Sequence, residues 1–516
     1  MEVGGMSSSR RPRTLRARRS VVGAGIVTIL LAGASWGQAG ASSTPEERPA
    51  APSPMPIRHV VIVDMENQSF DAILGKFCVD QARGTIVREG TNSPCDGTVT
   101  GALPGGATYR LQPEPDYGLT IGHSVAGIKQ AIDDGKMDGF ANLYGCGGSD
   151  VPPYACLTQF NPLKGPCFGG SSTCIPNAVA LAQQYAISDR TFQFRPNASW
   201  TMHMVLGAAT IERFNGDVPG PGPEGVPQGP GWGCNSGTVA NWWDPATGRW
   251  YAAPSCIPDA SGSLGPLWNG TVYASLPHAY YVPSIFDRLD HAGVGWKIYE
   301  LNDGWSICPT FERCWSRNQH RVVSVDHLFA DAANGRLPAV SFVIPSAAVS
   351  EHQPASVSRG DAWLGKVVGA VQNDQVDWPS TALFVTWDDC GCFYDHVNPR
   401  TFDPEWGVRV PLLAVSPYAR SGFTDHTPAT FPSMLTFLER VFRLRALNPC
   451  ARTPSDGCSD DVRTGNGAPT YDLMGMFDFS QTPITAPSPL VTSVRLPADE
   501  RRILRRLLPG LEDEAT

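Results

Sequence analysis

The chain has 516 residues, 42% of them hydrophobic, which is enough to bury one large core or two ordinary ones. Its formal net charge of −9 argues against nucleic acid as the main partner, since its basic residues are concentrated at the extreme ends. With 53 glycines and 46 prolines, much of the chain has to be loop.

In chain order, Arg10, Arg11, Arg13, Arg16, Arg18 and Arg19 precede the apolar run 21–34, and Ala39-Gly40-Ala41 supplies small residues for cleavage. Residues 1–41 therefore read as an export signal, and the apolar run is shorter than the roughly 20 residues needed to span a bilayer. A Pro/Ser/Ala linker (42–56) follows, so a secreted or extracytoplasmic location is expected. HVVIVDM (59–65) reads as the first strand, 126–140 as a short helix stopped at Gly135, and 177–186 as a second helix. Residues 215–280 show no period of either kind and read as a Gly/Pro-rich insertion forming a cap.

Beyond that insertion helices and strands alternate: helix 283–293, strand 294–301, helix 325–335, SFVIP (341–345), helix 361–373, ALFVTWDD (382–389), PLLAVSPYA (411–419) and helix 432–444. That alternation predicts an α/β fold with a mostly parallel sheet flanked by helices on both faces. Residues 448–516 read as a C-terminal tail ending in a basic helix.

Fourteen cysteines fit an oxidising compartment. Short separations suggest local disulfides at Cys78 and Cys95, Cys146 and Cys156, Cys167 and Cys174, Cys234 and Cys256, Cys308 and Cys314, and Cys450 and Cys458. Cys390 and Cys392 are the only closely spaced pair, and a disulfide reaching their loop could brace it.

The strand-like runs share one property: each ends in groups that carry chemistry. HVVIVDM runs into Glu66 and Asn67, ALFVTW into Asp388, Asp389, Asp395 and His396, and SFVIP into Glu351-His352. An open α/β sheet places its ligands at the carboxyl ends of its strands, so one composite site is expected. Glu66, Asn67, Asp388 and Asp389 form a hard-oxygen set that repels itself unless a cation or protons neutralise it, and one divalent metal ion is the economical answer. The alternative for each acid is a helix cap or an arginine partner at the sheet edge.

Glu66-Asn67-Gln-Ser69-Phe70-Asp71, Gly135 to Phe140, Asp189-Arg190, Glu351-His352-Gln-Pro354 and Trp387 to Val397 resemble the signature segments of the bacterial phosphoesterase family, in the family's order. That family includes phospholipases C and secreted acid phosphatases and is similar in fold to alkaline phosphatases. The resemblance implies a catalytic domain over 57–447. It also implies a nucleophile at Ser199, with His203 on the basic position that follows. Thr201 and Met202 depart from the family's usual Pro-Asn, which puts nearby substrate contacts in doubt.

His352, His123 and His396 are the expected catalytic histidines, His203 and Asp395 the expected substrate-binding residues, and His426 a weaker candidate. The implied function is an exported phosphoesterase acting on phospholipids, with peripheral contact to a membrane surface, or on small phosphate esters. The alternative is a catalytically silent cell-surface binding protein on the same fold.

Overall fold

The computed structural model describes residues 55–493 except 89, 91–92, 148–153, 166–172, 223–228, 230, 269–275, 302–304 and 448–470. The expected signal, most of the linker, the basic terminal helix, Cys167, Cys450 and Cys458 lie outside the described residues.

An eight-stranded sheet forms the centre. Its strands are β1 (His59–Met65), β2 (Ala186–Ser188), β6 (Trp296–Tyr299), β7 (Val322–Val323), β8 (Val340–Val343), β9 (Thr381–Trp387), β10 (Leu412–Val415) and β11 (Thr424–Asp425). Their order across the sheet is β7-β6-β8-β1-β9-β10-β2-β11, and only β10 runs antiparallel to its neighbours. This confirms the α/β class with a mostly parallel sheet. β1 is central: Val61 is level with Ser341 on one side and Leu383 on the other.

A strand covered on both faces needs an unbroken apolar run, and β1 has one. Its alternation sends Val60 and Ile62 into one core, with α3 (Ser199–Ala208), α4 (Ile285–Ala292) and α7 (Phe431–Phe442). Val61, Val63 and Met65 enter the other, with α2 (Pro176–Gln184), α5 (Asp326–Ala333) and α6 (Val357–Gln372).

Two elements differ from the sequence reading. Helix α1 spans Val125–Ile132 and ends at Asp133, which takes a left-handed conformation, so the stop comes before Gly135. The insertion is not structureless: β3 (Phe214–Pro221), β4 (Thr238–Asp244) and β5 (Arg249–Pro254) form a three-stranded antiparallel sheet with Trp243 opposite Trp250. Its glycines and prolines hide the alternation, and cross-strand pairing supplies what local propensity lacks.

Disulfides join Cys78 to Cys95, Cys146 to Cys156, Cys234 to Cys256 and Cys308 to Cys314. Cys174 is also disulfide-bonded. Cys390 and Cys392 are buried free thiols with their sulfurs 3.8 Å apart, so no disulfide braces that loop. Among the described residues no helix is long and apolar enough to cross a membrane.

Candidate active site

Because β1 and β9 are parallel neighbours, their carboxyl ends are level, Met65 beside Trp387. The residues that follow, Glu66-Asn67 and Asp388-Asp389, are thereby brought together from positions more than 300 residues apart: the Asn67 backbone N–H donates to Asp388 Oδ1 at 2.8 Å. Asn67 holds a positive φ of 59° at the turn. Gly391 packs against it so closely that a Cβ there would lie 2.5 Å from the Asn67 carbonyl oxygen, which only glycine avoids.

Ser199 is the first residue of α3, a helix buried along its whole length. Its hydroxyl donates to Glu66 Oε2 at 3.2 Å. One turn on, His203 Nδ1 donates to the Trp305 carbonyl at 2.6 Å, which fixes the ring and turns Nε2 toward Glu66 Oε1 at 3.0 Å and Asp64 Oδ2 at 3.7 Å. Ligand atoms of Glu66, His203 and Asp388 all lie within 4.8 Å of one another. His203, expected to contact substrate, thus faces the carboxylates.

The sequence reading missed Asp64. Its only signal was an acid inside an apolar strand, and both its oxygens are buried without a hydrogen-bond partner. Burial lifts its carboxyl well above the ordinary value; His203 opposes this, while Asp388 and Glu66 add to it. Asp388 Oδ2 is likewise buried and unpartnered.

The side-chain amide of Asn67 lies between Asp389 and His352. One terminal atom lies 2.9 and 3.2 Å from the Asp389 oxygens and the other 3.0 Å from His352 Nε2. Turned one way, its NH2 donates to Asp389 and its oxygen accepts from His352. Turned the other, its oxygen faces the carboxylate, an arrangement that needs a cation between them. The unpartnered buried carboxylate oxygens of Asp64 and Asp388 fit a divalent cation, and with Glu66, Asn67, His203 and Asp389 they are candidate metal ligands.

His352 donates from Nδ1 to the Gln353 carbonyl at 2.7 Å. Its ring stacks on Trp305 with centroids 5.5 Å apart and meets His123 edge-on at 5.8 Å. His123 donates from Nδ1 to the Ile121 carbonyl at 2.7 Å. His352 and His123 therefore stand together, joined through Asn67 to the acidic group. Trp305, which holds both His203 and His352, carried no signal in the sequence.

His396 and Asp395 are placed in a second group. His396 Nδ1 meets Asp71 Oδ2 at 2.6 Å and its Nε2 meets Asp96 Oδ1 at 3.1 Å. Burial lowers the affinity of this ring for a proton, but Asp71 and Asp96 outweigh it and push its pKa up to about 10. His396 is thus held between two carboxylates, in a group with Asp71 and Asp395 apart from that of Glu66, His203 and Asp388.

Arg409, fully buried, lies against the same acids: its Nε donates to Asp395 at 2.9 and 3.1 Å and its Nη2 is 3.3 Å from Asp71. Asp71 and Asp395 follow β1 and β9, and Arg409 precedes β10, so the cluster ties together the loops that carry the first group. His426 belongs beside it, with Nδ1 3.0 Å from both oxygens of Asp189.

An α/β sheet with a buried serine, histidines and convergent carboxylates at its strand ends has the parts of a hydrolytic active site. Residues 57–445 match the model of the Phosphoesterase family, and the chain belongs to that family. It is 29% identical over 279 residues to the non-hemolytic phospholipase C of Burkholderia pseudomallei, a match covering 42% of this chain and 38% of that protein. To phospholipase C B of Mycobacterium tuberculosis it is 27% identical over 442 residues, covering 75% and 73%. To non-specific phospholipase C1 of Arabidopsis thaliana it is 24% identical over 410 residues, covering 72% and 63%.

The chain thus spans less than two thirds of the Burkholderia and Arabidopsis relatives. Similar solved structures include an alkaline phosphatase superfamily protein of Vibrio parahaemolyticus, 13% identical with a TM-score of 0.31 over 54% of this chain and 62% of that one. Murine ectonucleotide pyrophosphatase/phosphodiesterase 5 is another, 12% identical with a TM-score of 0.29 over 55% and 95%. Family and relatives support a phosphoric ester hydrolase.

Proposed function

We propose that the protein is an exported phosphoesterase that cleaves phosphate esters by attack of Ser199 on phosphorus. The observation that carries this reading is the Ser199 hydroxyl, 3.2 Å from Glu66 Oε2 at the start of a buried helix. Ser199 stands at the N-terminus of that helix, an end that favours an anion such as phosphate. Glu66 accepts the hydroxyl proton as Ser199 bonds to phosphorus and the leaving alcohol departs. His352 or His123 supplies the proton that the alcohol requires. Water then attacks the phosphoserine: its hydroxyl stays on phosphorus, its other proton goes back to the histidine, and Glu66 returns its proton to the Ser199 oxygen as phosphate or a phosphomonoester is released.

A divalent cation held by Glu66, Asn67, Asp388 and Asp389, with His203 and Asp64 at its edge, would neutralise the acids and lower the pKa of the serine hydroxyl. The low exposure of every one of these groups supports the reading, since buried charges of one sign are retained where chemistry needs them.

Phospholipids of the phosphatidylcholine type and small phosphomonoesters are the two substrate classes this mechanism serves. Parallel hydrolysis of p-nitrophenyl phosphate and p-nitrophenylphosphorylcholine tests it. Turnover of either, with a phosphorylated Ser199 peptide after acid quench, supports it. Turnover of neither by metal-supplemented full-length protein favours a silent binding protein instead.

A further inference from the structure

Trp305 touches both halves of the site. Its backbone carbonyl accepts the Nδ1–H of His203 at 2.6 Å. His203 Nε2 then meets Glu66 Oε1 at 3.0 Å, and the other oxygen of Glu66 accepts the Ser199 hydroxyl at 3.2 Å. The Trp305 indole lies along the face of His352, with centroids 5.5 Å apart and planes 26° from parallel, and His352 in turn meets His123 edge-on. One residue thus stands between the serine with its carboxylate and the two histidines on the proton-donating side.

Gly207 is what allows Trp305 to stand there. In α3 it lies one turn beyond His203 on the same face of the helix. A Cβ at Gly207 would lie 2.5 and 2.9 Å from atoms of the Phe311 ring and 3.2 Å from the Ile307 side chain. The missing side chain therefore lets residues 305–311 lie close enough to α3 for the Trp305 carbonyl to reach His203. Ile307, Cys308 and Phe311 are buried, and Cys308 is bridged to Cys314, so this segment has little room to move aside. The Trp305 side chain itself is only half-buried.

We infer that Trp305 is a positioning residue, held in place through Gly207, that keeps the His352–His123 pair in the orientation from which the leaving alcohol takes its proton. This rests on the phosphoesterase reading. The Gln353 carbonyl holds one edge of the His352 ring at 2.7 Å, and the indole against its face stops the ring from tilting. As the bond from phosphorus to the alcohol breaks, an alkyl oxygen has to take up a proton, whereas p-nitrophenolate leaves without one. A displaced acid is therefore felt with the first kind of ester and much less with the second.

The test measures kcat/KM of metal-supplemented full-length protein on two pairs of esters that differ in the group that leaves. One pair is glycerol 2-phosphate with p-nitrophenyl phosphate, the other dihexanoyl phosphatidylcholine with p-nitrophenylphosphorylcholine. On the pair that the unaltered protein turns over, Trp305→Leu should lose about tenfold or more with the alkyl ester and less than about threefold with the nitrophenyl ester. Trp305→Phe, which keeps a ring to stack on His352, should recover most of that loss. Gly207→Ala, which alters no group at the site, should show the same asymmetry at about threefold or more. Equal losses on the two esters, or a Phe variant no better than the Leu variant, overturn the inference. Should urea unfolding show that Trp305→Leu does not fold, Gly207→Ala decides: equal effects on both esters overturn the inference and the asymmetry supports it. Unaltered protein that turns over none of the four esters refutes the phosphoesterase reading and this inference with it, an outcome distinct from lost asymmetry in an active enzyme.

Discussion

Replacing Arg409 with methionine would remove the only cation that the structure places between two fully buried carboxylates, Asp71 and Asp395, among the described residues other than His396. The guanidinium and both acids are fully buried, and its Nη1 also donates to the carbonyls of Asp96 and Asp189 at 3.0 and 2.9 Å. Methionine fills much of the volume, so the loss is electrostatic. Breaking a buried pair from one side typically costs about 3–5 kcal/mol, because an uncompensated charge is left behind.

Against a total stability of about 5–15 kcal/mol this is about a fifth or more. Asp71 and Asp395 would also lose what fixes the loops after β1 and β9, so turnover should fall with stability. Arg409→Lys should recover part of the loss, since it keeps the charge but cannot reach Asp395, Asp71 and the two carbonyls at once as the three guanidinium nitrogens do. Urea unfolding followed by tryptophan fluorescence reads the change from the midpoint at constant slope. A shift under about 1 kcal/mol in Arg409→Met would refute the argument that this cluster clamps the strand ends.

Ser199→Ala should abolish turnover with the fold intact, since it removes only the attacking oxygen; activity above a small percentage would move the nucleophile elsewhere, with Thr201 the first substitute. Asp388→Asn should lose bound metal and activity together, and metal analysis of fully active, metal-free protein would defeat the cation reading.

Burial lifts Glu114 to about 8, with a hydrogen bond from Thr158 opposing. A raised carboxyl stabilises the fold below the unfolded value of about 4.5, and that contribution is lost as pH rises through about 8. Glu114→Gln should therefore flatten the stability profile across this window, which urea midpoints at several pH values would show. Thiol titration of the denatured, unreduced protein should find Cys390 and Cys392 free while the four described bridges stay oxidised. Finding most of the fourteen cysteines free would overturn the oxidising compartment.

The sheet was legible because its signals are local. β1 and β9 are β-branched or apolar runs whose burial follows from composition, and the acids that end them are written immediately after. Ser199, Glu66 and the Asp388-Asp389 pair could be named from motifs for the same reason.

Which acids meet was not legible, because adjacency in a parallel sheet depends on crossover connections and not on sequence order. β9 lies beside β1 only in the folded sheet, and that juxtaposition brings Asp71 within 2.6 Å of His396, 325 residues away. It separates His396 and Asp395 from Ser199's contacts, although they share a short segment with Asp388, because the turn at Gly391 redirects the chain. Arg409, Trp305 and Asp64 acquire their roles from the same packing: each is an ordinary residue in its local sequence and is defined only by the groups that tertiary structure lays against it.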